Sequence, residues 1–170
     1  MNEANSCPLQ EIVGRILRQT IKCFDRSTGL FNQANDLIAE GVQLTNDTRF
    51  IHTKTTRCTA EVDILVTKAA VLAKKTDVLV AEVDGLGQEA DQILSEACEL
   101  YGTVRATAPN AASVRHSVYE KLKNAAHELK LDVRRLRAEA RAAKAEAGRL
   151  AIDAAIVLEI EAYDMESKAA

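Results

Sequence analysis

The chain has 170 residues, with 22 basic and 25 acidic side chains and a formal net charge of −3, so it has no overall attraction for nucleic acid or an anionic membrane. Three Phe, three Tyr and no Trp, set against a wealth of Ala, Leu and Val, exclude a core of bulky rings and favour slim side chains between close helices. No run approaches the roughly 18 unbroken apolar residues of a membrane span.

The start, Met1-Asn-Glu-Ala-Asn-Ser-Cys7, lacks the basic and apolar regions of a signal peptide. Ser6-Cys7-Pro8 predicts a helix start, because proline in a first turn loses no hydrogen bond. From there one apolar ladder climbs in alternating steps of four and three residues. Its first rail is Leu9, Ile16, Cys23, Leu30, Leu37, Leu44, Ile51, Cys58, Leu65, Leu72, Leu79, Leu86, Ile93 and Leu100. Its second is Val13, Thr20, Ser27, Ala34, Gly41, Thr48, Thr55, Val62, Ala69, Thr76, Val83, Ala90, Ala97 and Val104. A mean spacing of 3.5 residues keeps one stripe facing a partner over many turns, which is the signature of helices packed along a seam.

Helix A is expected over about 9–42, weakened but not stopped by Ser27-Thr28-Gly29. Gly41 fits a residue just past a helix end, and Thr45-Asn46-Asp47 supplies caps for a restart, so the first turn is placed at 41–47. The rival is a single helix from Leu9 to Val104, which would need a second chain to cover its seam. Helix B is expected over about 48–102, with a bend at Asp84-Gly85-Leu86-Gly87. Pro109 cannot continue a helix, and Asn110 or Ser113 can cap the next one, so a second turn falls there. Helix C, about 113–164, carries the rungs Tyr119, Leu122, Ala126, Leu129, Val133, Leu136, Ala140, Ala143, Ala147, Leu150, Ala154 and Val157, and near its end Ile152, Ile156 and Ile160 widen the apolar face. The expectation is a single all-α domain over 1–170, an elongated antiparallel three-helix bundle with coiled-coil-like heptad packing. Three such ladders supply enough seam to close within one chain, so a monomer is expected.

Beside the third ladder runs a basic row, Lys123, His127, Lys130, Arg134, Arg137, Arg141 and Lys144. A polyanion stripe would look like this. However, from Thr76 to Val104 there is no Lys or Arg, and folding about Pro109 sets Arg134 level with Asp84, Arg141 with Asp77 and His127 with Asp91. The row is therefore read as meeting its countercharge inside the bundle, where such pairs select partner and register.

Neither a catalytic signature nor a cofactor motif occurs, and His52, His116 and His127 lack metal-ligand spacing; no metal or cofactor is expected. Asn46-Asp47-Thr48 is a glycosylation sequon on the first expected turn. Cys23 and Cys58 occupy rungs, where reduced cysteine acts as a small apolar residue. Cys7 and Cys98 lie off the ladder near one end, so a Cys7–Cys98 disulfide is conceivable in an oxidising compartment if the N-terminal tail spans the gap that helix counting leaves. A helix A of about 35 residues would leave the end holding Tyr101, Arg105, Pro109 and Asn110 finished by loop, the place where recognition concentrates on a rigid scaffold. Tyr101, Arg105 and Asn110 are the candidate ligand-binding residues.

Three long antiparallel helices, an alanine-rich slim core, scattered cysteines and the run Ala138-Glu-Ala-Arg-Ala-Ala-Lys-Ala-Glu-Ala147 resemble the surface helical-bundle proteins of African trypanosomes. The glutamic acid/alanine-rich protein type is nearest, with variant surface glycoprotein N-terminal domains and the haptoglobin–haemoglobin receptor more distant. The resemblance implies a non-enzymatic cell-surface coat or antigen, anchored through a segment absent from this chain, with a host or vector protein as partner. An intracellular coiled-coil scaffold and an exchangeable lipid-binding bundle are the alternatives, and with the first of these the location would be cytoplasmic.

Overall fold

A computed structural model describes residues 6–53, 59–107 and 114–169, all of them helical: α1 (Ser6–Thr53), α2 (Thr59–Thr107) and α3 (Val114–Ala169). All three helices contribute to each of two compact units, which makes the fold an all-α three-helix bundle. The first unit comprises Met1–Leu30 with Val83–Arg137, the second Phe31–Glu82 with Ala138–Ala170.

The ladder is what each unit buries. In the first, Ile16, Cys23, Val83, Leu86, Ala90, Ala126, Leu129, Val133 and Leu136 are almost wholly enclosed; in the second, Ala34, Val62, Leu72, Leu79, Ala147, Leu150, Ala154 and Val157 play the same part. Every described rung is buried or half-buried; the side chains of Ile51, Thr55 and Cys58 lie outside the described residues. Burying a Leu, Ile or Val side chain is worth about 1.5–3 kcal/mol, so a ladder kept in phase dominates local helix preferences. Threonine rungs are tolerated because their hydroxyls bond backward within the helix. Thr20 Oγ1 donates to Ile16 O and Thr48 Oγ1 to Leu44 O, both at 2.8 Å.

The first turn is not at 41–47. Helix α1 runs unbroken to Thr53, and α2 begins at Thr59 rather than 48. Gly41 is an interior seam position with no positive φ. A methyl there would lie 3.7 Å from Leu72 Cδ2 and 3.8 Å from Leu150 Cδ1, ordinary contact distances, so Gly41 faces both neighbouring helices. Thr45 does not cap a new helix but donates to Gly41 O at 2.9 Å, and Asp47 accepts from Gln43 one turn earlier. Glycine in a helix interior costs about 1 kcal/mol, less than the burial of the next rungs, Leu44 and Thr48, returns by staying in phase.

The second turn, with Pro109 and Asn110, lies outside the described residues, between the end of α2 at Thr107 and the start of α3 at Val114. No interruption occurs at Ser27–Gly29 or at Asp84–Gly87. Helix α1, at 48 residues, is one residue shorter than α2 with 49, so the expected first helix of about 35 residues is not what the structure shows.

Candidate functional site

Charges on the flanks of the seam set the register. Between α1 and α2, Arg26 pairs with Glu89 at 2.6 Å, Lys75 with Glu40 at 2.8 Å and Lys68 with Asp47 at 3.7 Å; each pair is centred on position 57.5. Arg15 and Glu96 add a fourth contact at 3.1 Å. In the first unit α1 supplies the bases and α2 the acids, and in the second the roles reverse. This polarity rewards the antiparallel hairpin and sets like charges face to face in a parallel one.

Between α2 and α3, Lys130 meets Asp91, Arg137 meets Asp84 and Lys144 meets Asp77, all at 2.7 Å. The three acids are those expected from the sequence, but their partners stand three residues further along than His127, Arg134 and Arg141. These pairs are centred on 110.5 and not on Pro109. The basic row does find its countercharge on α2, through its other heptad position. Arg137 lies against the backbone of Gly87, where a Cβ would collide with its guanidinium; its Nε is at ion-pair distance from Asp84 without hydrogen-bond alignment.

Of the candidate ligand-binding residues, Tyr101 is half-buried on α2 beneath Lys123, whose Nζ stands 4.5 Å from the ring centroid. Arg105 is exposed in the last turn of α2, and Asn110 lies outside the described residues. Tyr101 is thus engaged in a cation–π contact inside the first unit. Asn46 is exposed but sits mid-helix, and the Thr48 hydroxyl of its sequon is turned into the seam, so the expected loop setting is absent.

Cys98 is exposed with a free thiol. The pairs Arg15–Glu96 and Arg26–Glu89 put position 98 level with 13 to 17 on α1. Cys7 lies in the first turn of α1, its side chain outside the described residues, so a bridge would need the first turns of α1 to leave the helix. The buried Cys23 thiol donates to Glu89 Oε2 at 3.6 Å. Desolvation pushes its pKa up, and the Glu89 charge adds to this, so it stays a protonated, unreactive core residue. Glu89 is held below the usual carboxylate range, chiefly by the hydrogen bonds that Arg26 donates at 2.6 and 2.7 Å.

No local motif points to an open cavity of about 310 Å³ in the second unit, lined by Thr45, Thr48, Arg49, Arg149, Leu150, Asp153 and Ile156. Arg149 is clamped there, donating to Glu146 at 2.6 and 3.1 Å and to Asp153 at 2.8 Å; this holds the Glu146 carboxyl below its ordinary range. The threonine hydroxyls that line it are turned back to helix carbonyls. Only a gap between residues on two distant segments makes the cavity, and no local spacing encodes that.

Among the described residues, no group of three or more His, Cys, Asp or Glu side chains could hold a metal ion, and no helix is long and apolar enough to cross a membrane. No protein family, curated protein or solved structure matches this chain.

Proposed function

We propose that this chain is a non-enzymatic framework, a helical bundle displayed at a cell surface as coat or antigen, with a host or vector protein as its partner. The observation that carries the framework part is the use of the ionisable groups: Asp77, Asp84, Asp91, Glu40 and Glu89 each face a base on a neighbouring helix, and the buried thiol is pushed toward its neutral form. The placement at a cell surface rests on the resemblance in helical layout and alanine-rich composition to trypanosome surface bundles. As such a protein the chain acts through its outer faces, as a monomer.

Antibodies raised against the purified bundle test this on the cells that express it. Staining of intact cells is the expected result. Staining only after permeabilisation would overturn the surface reading in favour of an intracellular scaffold.

A further inference from the structure

The cavity of about 310 Å³ in the second unit is a slot between α1 and α3, and its size falls at the low end of the roughly 300–1,000 Å³ of small-molecule sites. Its lining on α3 runs from Arg149 to Ile156, about 10 Å of helix, so the opening is drawn out along the helices. No aromatic residue lines it. Leu150, 1% exposed, lies at its base and Ile156, 48% exposed, at its side. Val42 and Ile152, one turn before Thr45 and Ile156 on their own helices, carry the aliphatic margin further at 58% and 63% exposed.

The polar groups of the slot are spent, with one exception. Thr45 and Thr48 donate their hydroxyls to Gly41 O and Leu44 O. Arg149 donates to Glu146 and Asp153, so it brings no uncompensated positive charge to the opening. Arg49 is exposed, lines the slot from the α1 side and has no ion-pair partner among the described residues. A narrow aliphatic slot with one available guanidinium matches a molecule that has a slim apolar body and one negative end.

We propose that this slot binds a single-chain alkyl carboxylate of the fatty-acid class, with the carboxylate on Arg49 and the chain laid between α1 and α3. The guanidinium donates to the carboxylate in a charge-assisted pair, and the chain takes out of water aliphatic surface that the bundle itself leaves open. The seam stays closed, because Leu150 and Thr48 are already buried beneath the slot. Nothing in this site depends on a placement at the cell surface.

The full chain, isotope-labelled at its isoleucine methyl groups, is titrated with dodecanoate below the concentration at which it forms micelles and followed by NMR. Saturable shifts are expected at Ile152 and Ile156, with Ile16 and Ile93, buried in the first unit, unmoved. Arg49→Gln should weaken dodecanoate by roughly fivefold, the effect of one exposed charge pair, and leave the binding of neutral dodecanol unchanged. Thr45→Leu, which fills the slot, should weaken both. Absence of a saturable shift at Ile156 would overturn the proposal, as would equal dodecanoate affinity in Arg49→Gln. Shifts at Ile16 and Ile93 as large as those at Ile156 would also overturn it, since they would mark a chain entering an opened seam. Arg49 is exposed, so its variant decides the matter even if Thr45→Leu does not fold.

Discussion

Gly41 marks the difference between a turn and a seam. As a residue past a helix end it would hold a left-handed backbone that alanine resists; as an interior seam residue it has room for a methyl at ordinary contact distance from Leu72 and Leu150. Gly41→Ala is therefore expected to stabilise the protein by about 0.5–1 kcal/mol through helix preference, read as a melting temperature raised by roughly 1–4 °C. A loss of stability would restore the turn at 41–47. The titrating residues give a second expectation at this scale. Glu89 and Glu146 have lowered pKa values in the fold, so what they contribute is present above the unfolded value of about 4.3 and lost as pH falls below it. Cys23 has a raised one, so its contribution is present below about 8.5 and lost as pH rises beyond. Stability followed by denaturant titration should be flat between about pH 5 and 8 and decline on both sides; a steep slope within that window would show that another group governs it.

At the scale of the helices, the ladder decides and punctuation yields. Leu79 is wholly buried, whereas its neighbour Val78 is half exposed. Leu79→Ala should cost about 2–5 kcal/mol in chemical denaturation, and Val78→Ala less than about 1 kcal/mol; equal costs would mean that the seam is not where the period places it. The number of helices, the identity of the rungs and the acids that α2 offers to α3 were legible in the sequence, because burial enforces the 3.5 period on every turn. The first turn was not. Gly41, Thr45 and Asp47 carry the chemistry of a helix end, but Gly41 sits in the seam facing Leu72 and Leu150, far away in the chain, and Thr45 bonds backward to it. The acid–base register missed for a related reason: a midpoint shift from 109 to 110.5 moves each base by three residues, nearly a full helical turn, and so keeps the same flank while changing the partner. Tyr101 and Arg105 are expected binding residues because of a helix A of about 35 residues, and that premise does not hold for an α1 of 48 residues.

At the scale of the whole molecule, the topology follows from two sets of charge pairs laid beside one apolar ladder. The α1–α2 set reverses polarity along its length, which specifies the antiparallel hairpin; the α2–α3 set keeps acids on α2 and bases on α3, which specifies the partner. Exposed pairs of this kind contribute only a few tenths of a kcal/mol each, so they select among arrangements that the seam alone would stabilise almost equally. The cavity beside Arg149 and the Tyr101–Lys123 contact are products of that packing and had no counterpart in any local motif. Zero-length carbodiimide coupling followed by peptide mapping tests this topology most directly, because it joins a carboxylate to a lysine amine only when they touch. The expected products are Glu40–Lys75, Asp47–Lys68, Asp91–Lys130 and Asp77–Lys144, whereas coupling of Lys68 or Lys75 to acids near the start of α1 such as Glu11, as a hairpin folded at 41–47 would give, would contradict it.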